Sequence, residues 1–293
     1  MRPEDLAVEH KTATTNGIRL NYVEAGAKDR PLVVLLHGFP ELWWSWRHQF
    51  QPLVDAGFRV IAPDQRGYNN SEKHGPFDAG TLATDIAGLI KVAGVERASI
   101  VGHDWGGAIA WRFAAQFPEM TERLVVLNCP HPSMMRRALF ESSVQRRKSY
   151  YMFLFQLPVL PEWQLTRNNA EAVAKAFYAG AVDRSRISAE ELEPYRAAML
   201  KPGAARGALN WYRTAMREGL LPGKKTHAPS KISCPATLIW GRPDFALDYD
   251  ALVPGTEKYA PKLTIRTLDG VGHFCQTEAP ERVNPLLLEA LRA

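Results

Sequence analysis

The chain has only three cysteines in 293 residues, Cys129, Cys234 and Cys275. A sparse, odd set does not make a disulfide framework, and it points to a reducing compartment. A chain of this length can bury a sizeable core, so it needs no covalent staples. Long apolar runs are also missing: none approaches the roughly 18 residues that a membrane helix requires. The start, Met1-Arg2-Pro3-Glu4-Asp5-Leu6, has no apolar stretch of signal-peptide length. These absences predict a soluble, cytoplasmic chain that does not insert into a membrane. Nor is there a large excess of one charge, since 36 Lys+Arg against 31 Asp+Glu leave +5. The dense basic spots are Arg136-Arg137 and Arg146-Arg147-Lys148. With no nucleic-acid-binding motif beside them, they are expected to be solvated helix faces. Internal repeats and low-complexity segments are absent.

What is present is an alternation of strand, loop and helix. Strands are expected over 9–14 and 18–25, with Asn16-Gly17 as a hairpin turn. Pro31-Leu32-Val33-Val34-Leu35-Leu36 is a continuous apolar run, as in a strand buried on both faces. A turn at His37-Gly38-Phe39-Pro40-Glu41 and an amphipathic helix through Trp46 and Phe50 follow it. Further strands are expected over 58–62, 98–101, 124–127, 236–240 and 263–268, with helices over 81–92, 108–115, 251–259 and 280–291. This order predicts an α/β fold with a mainly parallel sheet and helices on both faces. Ligands in such sheets bind beyond the carboxyl ends of the strands. The alternation stops between 131 and 228, where aromatic-rich helical segments are broken by prolines. The expected organisation is therefore a core over 1–130, a helical insert over 131–228 that covers the strand ends, and a second part of the core over 229–293.

Val101-Gly102-His103-Asp104-Trp105-Gly106-Gly107 lies between a strand and a helix. Glycines two residues either side of Asp104 predict a turn so tight that a Cβ there would clash. Gly-x-Ser-x-Gly forms such a nucleophile elbow in hydrolases. Here the central residue is an aspartate, so serine esterase or lipase chemistry is not expected. The glycine spacing fits no nucleotide-binding loop. Taken alone, Asp104 could equally cap the helix that follows. Two other loops at the same sheet edge carry partners: Asp244, in Trp240-Gly241-Arg242-Pro243-Asp244, and His273, in Gly272-His273-Phe274. Asp104, Asp244 and His273 stand in the chain order nucleophile, acid, base. Asp248 is the main rival for the acid. His103 is expected to pack behind the turn, and Tyr150, Tyr178 and Tyr195 to be structural.

Together with Tyr151-Met152-Phe153-Leu154-Phe155-Gln156 and Leu209-Asn210-Trp211-Tyr212-Arg213, these motifs resemble the epoxide hydrolases of the α/β-hydrolase superfamily. The likeness spans nearly the whole chain. It implies an eight-stranded, mostly parallel sheet flanked by helices, with the insert as a helical cap domain placed after strand 6. It implies an epoxide as the small-molecule substrate, converted with water to a vicinal diol. Asp104 would be the nucleophile, His273 the general base, Asp244 the acid that orients the base, and Tyr151 and Tyr212 the proton donors to the epoxide oxygen. The backbone N–H groups of Phe39 and Trp105 would form the oxyanion hole, with a cis bond at Phe39–Pro40. His37, Pro40, Trp105 and Phe155 would contact the substrate. Neither a metal nor an organic cofactor is implied. Oligomeric state stays open, with a homodimer as one candidate.

A haloalkane dehalogenase uses the same Asp-His-Asp chemistry and is the alternative. Phe39 stands where such an enzyme would carry a halide-binding Asn, and two tyrosines would have no task in releasing a halide. A fluoroacetate dehalogenase would want Arg in the place of Trp105. A binding protein without catalysis on the same fold is opposed by the complete triad. Asn69 departs from the glycine common at its position, and Asn can still adopt a left-handed conformation.

Overall fold

The computed structural model describes residues 2–220 and 231–292. Its sheet has eight strands: β1 (Glu9–Thr15), β2 (Ile18–Ala25), β3 (Leu32–Leu36), β4 (Arg59–Pro63), β5 (Ala98–His103), β6 (Thr121–Leu127), β7 (Ala236–Arg242) and β8 (Leu263–Asp269). They lie in the order β1-β2-β4-β3-β5-β6-β7-β8. Only β1 with β2 and β2 with β4 are antiparallel; every later pairing is parallel. The three central strands β3, β4 and β5 are buried at every residue. A strand with helices on both faces has no solvent side, which is why its sequence reads as unbroken apolar residues rather than alternating ones.

Helices Ala79–Val92 and Trp105–Gln116 pack against each other and against the sheet. The first is capped by Asp78, whose side chain accepts from the Thr81 N–H. Two expected helices are shorter than the sequence suggested. The run through Trp46 and Phe50 is a 3-10 turn, Trp43–Trp46, followed by a short α-helix, Phe50–Asp55. Three tryptophans there are all buried, so no polar face exists for a continuous amphipathic helix. The expected helix over 251–259 is one turn, Tyr249–Leu252, and a 3-10 turn, Thr256–Lys258. Pro254 and Gly255, the latter at φ 97°, break it.

Between β6 and β7 the described residues form the α-helices Pro132–Glu141, Ser143–Lys148, Tyr150–Leu154, Leu160–Gly180, Ala189–Leu200 and Ala204–Leu220, and no strand. The Leu160–Gly180 element has non-helical backbone from Arg167 to Ala170. The expected end of the insert at 228 lies outside the described residues. Contacts at both ends of the insert fasten it to the core. Trp211 Nε1–H donates to the Arg66 carbonyl at 3.0 Å, and Gly207 meets Gly67 so closely that a Cβ on Gly207 would lie 2.4 Å from the Gly67 oxygen. At the other end, the Gly180 carbonyl accepts from the His273 N–H at 2.8 Å. Among the described residues no helix is long and apolar enough to cross a membrane.

Candidate active site

The turn after β5 is as tight as its glycines require. A Cβ on Gly102 would lie 2.3 Å from the Gly106 oxygen, and one on Gly106 would lie 2.1 Å from the Leu36 oxygen. Asp104 itself is held at φ 49° and ψ −122°, a conformation rare for a residue with a side chain. Its side chain makes no cap to the helix it precedes, so the helix-cap role is not the one it fills. Instead Oδ1 accepts from the Phe39 N–H at 2.8 Å, across the cleft mouth on the loop after β3. Phe39–Pro40 is cis. Trp105 is the first residue of the following helix, so its N–H is among those that the helix leaves without an internal acceptor.

His273 and Asp244 come to the same edge from the loops after β8 and β7. His273 Nε2 lies 3.7 Å from Asp104 Oδ2, and Nδ1 lies 2.6 Å from Asp244 Oδ2. Asp244 is fully enclosed and has its remaining lone pairs taken. Oδ1 accepts from the Ala246 and Leu247 N–H groups at 2.8 and 3.0 Å, and Oδ2 from Asn128 Nδ2 at 2.9 Å. Burial works to raise the Asp244 carboxyl, but the His273 charge and these donors overcome it and hold it below its ordinary value. For His273, burial opposes the charged ring, and the Asp244 and Asp104 carboxylates outweigh it, raising the imidazole to about 10. The rival acid, Asp248, caps the helix Tyr249–Leu252 by accepting from the Ala251 N–H.

Tyr151 and Tyr212 arrive from different helices of the insert and share one aromatic cluster. Their ring centroids are 5.9 Å apart. Phe155 stands against both, at 5.6 Å from Tyr151 and 5.0 Å from Tyr212, and against Phe39 at 5.5 Å. Trp105 meets Tyr212 edge-to-face at 4.9 Å. Burial, followed by the negative charge of Asp104, pushes the Tyr151 phenol above its ordinary range. Burial does the same to Tyr212, with Tyr151 and Asp104 adding to it. Both phenols therefore keep their protons through neutral pH.

An aspartate at a strand-to-helix elbow, a histidine–aspartate pair beside it, and two protonated phenols sharing its field are the parts that the motifs implied. The chain matches the α/β-hydrolase-fold family over residues 31–280. It is 32% identical to epoxide hydrolase A of Mycobacterium tuberculosis, over 97% of this chain and 98% of that protein. The chain belongs to the epoxide hydrolases of the α/β-hydrolase fold. It is also 43% identical to the AB hydrolase superfamily protein YfhM of Bacillus subtilis, over 97% of this chain and 98% of that one. The solved epoxide hydrolase A of Mycobacterium thermoresistibile superposes with a TM-score of 0.85 at 32% identity, covering 98% of this chain and 99% of that one. A Bacillus megaterium epoxide hydrolase solved with an inhibitor gives 0.85 at 28% identity, covering 97% and 100%.

Within this family site, several residues take places that the sequence did not foretell. His37 is fully buried. Its Nδ1 faces the Gly38 carbonyl at 2.9 Å and its Nε2 accepts from the Gln65 N–H at 3.1 Å, so it ties the turn to the loop after β4 rather than meeting a substrate. Burial drives it down to about 4, which keeps it neutral. Pro40 is buried too. Tyr150, expected to be structural, is 64% exposed, whereas Tyr195 is buried and accepts from Arg47 Nη1.

Three buried groups with no assigned role organise the loops. Glu41 accepts from the Gly38 N–H at 2.6 Å and faces His103 Nδ1 at 2.8 Å, while His103 Nε2 faces the His273 carbonyl at 2.9 Å. This chain links the Gly38–Phe39 turn, the elbow and the His273 loop, and bears out the place of His103 behind the turn. Asn128, at φ 38°, donates to Asp244 and accepts from the Gly241 N–H at 2.8 Å. Glu278 accepts from the Gly272 N–H at 2.7 Å with one oxygen and from the Val182 and Asp183 N–H groups at 2.9 and 2.8 Å with the other. It thereby ties the His273 loop to the insert. The signals existed, since Glu41 sits in the His-Gly-Phe-Pro-Glu motif and Glu278 stands five residues after His273, but spacing alone does not show which side chain is buried. Asn69 takes a left-handed φ of 39°, as its residue type allows, and donates to Asp64.

Proposed function

We propose that this chain hydrolyses an epoxide to a vicinal diol through an ester on Asp104. The observation that carries the proposal is that two protonated phenols share one aromatic cluster with the oxyanion turn and feel the charge of an aspartate placed where hydrolases carry serine. In the first step Asp104 Oδ2 attacks a ring carbon and the C–O bond breaks. The ring oxygen takes a proton from the Tyr151/Tyr212 pair as it becomes a hydroxyl. Oδ1, already on the Phe39 N–H, becomes the ester carbonyl oxygen. In the second step His273 removes a proton from water and the hydroxide adds to that carbonyl. The oxyanion forms on Oδ1, where the Phe39 and Trp105 N–H groups stabilise it, and a lost donor of this kind costs about 3 kcal/mol. Collapse expels the diol oxygen, which takes a proton from the imidazolium; Asp104, left as a carboxylic acid, ionises, and the proton it releases balances the one that the tyrosine recovers from solvent.

The electrostatics suit this order. Before reaction two carboxylates hold the proton on His273, and the first step needs no base. Esterification deletes the Asp104 charge, which removes one of the causes that raise His273 and lets its pKa fall towards the range where it serves as a base. Asp244 orients the ring and offsets the charge that forms on it.

The test is incubation of a His273→Gln variant with styrene oxide. Intact mass is expected to rise by one substrate mass, localised to the peptide that carries Asp104, while the wild-type chain releases diol. Neither adduct nor diol across a panel of varied epoxides would overturn the proposal. Halide release from a haloalkane without epoxide turnover would shift the assignment to a dehalogenase.

A further inference from the structure

Nine of the thirteen large apolar side chains exposed among the described residues lie between 140 and 163. Tyr150, Phe153 and Leu154 are 64%, 58% and 47% exposed, at the i, i+3, i+4 spacing of one helical face. Tyr151, on the same short helix, belongs to the cleft. Leu160 and Trp163 show a second such face, 45% and 52% exposed, and Val159 between the two helices is 76% exposed. Val159 is held there at φ 65°, which a β-branched residue avoids. The two faces are neighbours. Arg213, buried beneath them, donates to the Phe155 carbonyl at 2.9 Å, the Leu157 carbonyl at 2.8 Å and both oxygens of Glu162 at 2.6 and 3.0 Å, so the end of one helix and the start of the next are gathered on one guanidinium. Side chains of this size, half exposed, put several hundred Å² of apolar surface into water, the range that marks an interaction site.

The segment that carries this patch is predominantly basic. Residues 136–167 hold six Arg or Lys and two Glu, in a chain whose net charge is +5. Both glutamates are already engaged, Glu141 with Arg137 and Glu162 with Arg213. Arg146 and Arg147 are exposed and immediately precede the Tyr150 face, and Arg167 stacks on Trp163 at 4.5 Å. We propose that this face of the insert docks peripherally on an anionic lipid surface. Aromatic and aliphatic side chains ringed by Arg and Lys are what a bilayer interface takes up, and each basic residue near an anionic surface adds attraction. A second copy of the chain is a poor occupant, because an isologous contact would set the Arg146-Arg147 pair near its own image, like charge against like. The inference does not depend on the chemistry at Asp104.

The full chain would be floated with extruded phosphatidylcholine vesicles, with and without phosphatidylglycerol, at low and high salt. Binding is expected with phosphatidylglycerol at low salt, and it should be weak on phosphatidylcholine alone. Arg146→Ser/Arg147→Ser is expected to weaken partitioning roughly 30-fold at low salt. Phe153→Ser/Trp163→Ser should weaken it at least about tenfold. Both surface variants should melt at the wild-type temperature, which separates lost docking from misfolding. Absence of wild-type binding to phosphatidylglycerol vesicles would overturn the proposal, as would equal binding to the two compositions. So would a wild-type dimer in light scattering that Phe153→Ser/Trp163→Ser turns into a monomer, since the patch would then be an interface between copies.

Discussion

The two sides of the cleft are held by different physics. On the core side, Asp104, Asp244 and His273 sit at strand ends and are fixed by hydrogen bonds, most of them from backbone. Asp244 alone accepts from two N–H groups and one amide besides His273. On the insert side, Tyr151 and Tyr212 are placed by ring contacts, edge-to-face with Phe155, Phe39 and Trp105 at centroid separations from 4.9 to 5.6 Å. Hydrogen bonds fix atoms to a few tenths of an ångström, whereas ring packing fixes a volume that can deform. On the proposed mechanism, the core side would set whether an ester is cleaved. The insert side would set which ring fits and whether it opens, with the Phe155 ring lying among the tyrosines and Phe39.

Breaking the core side is expected to have the largest effect. Asp244→Asn keeps the shape but cannot compensate an imidazolium, and turnover should fall about 10⁴-fold. Ester formation should survive, so rapid-quench mass spectrometry should find the alkylated chain as the dominant species. Equal loss of both steps would mean that Asp244 holds the elbow itself. On the insert side, Tyr151→Phe/Tyr212→Phe should lower turnover about 10³-fold and each single change about 10- to 100-fold, the size of a general-acid contribution. Here no ester should accumulate, because the first step fails. Full activity in the double variant would remove both phenols from the reaction. Glu278 joins the two sides. In Glu278→Gln one acceptor oxygen becomes a donor, and either Gly272 or the Val182/Asp183 pair loses its partner. Ester hydrolysis should slow roughly tenfold, the cost of one lost charge-assisted hydrogen bond, with alkylation unchanged. If both rates fall together, Glu278 stabilises the fold without positioning His273.

The core side was also the more legible in sequence. Its strands are continuous apolar runs because they have no wet face, and its loops carry chemistry at strand ends, so Asp104, Asp244 and His273 can be read from where runs stop. The elbow glycines betray themselves because backbone approaches leave no alternative residue. The insert gave up its tyrosines only through their motifs. Nothing in the periodicity separates Tyr151, facing the cleft, from Tyr150, 64% exposed beside it. His37 misled for a similar reason: it lies in the turn that carries Phe39, but its ring packs backwards against Tyr68 at 4.8 Å. The partners Glu41, Asn128 and Glu278 stayed hidden because their roles depend on loops brought together across the sheet edge, a tertiary property that no local spacing records.

The smallest expected effect separates the two sides by charge. His273 is raised to about 10 when folded, from 6.5 when unfolded. A raised folded value means that its charge contributes stability in full below about 6.5, and that this contribution is lost as pH rises towards about 10. Wild-type melting temperature should therefore fall between pH 7 and 9 more steeply than that of His273→Gln, by about 2 °C per pH unit if one proton is involved. Tyr151→Phe should leave the wild-type slope unchanged over that interval, because burial lifts the phenol further above it and both folded and unfolded forms stay protonated. Parallel slopes for wild type and His273→Gln would show that the two carboxylates do not hold a proton on the base in the resting chain. The order of events at Asp104 would then need a different electrostatic trigger.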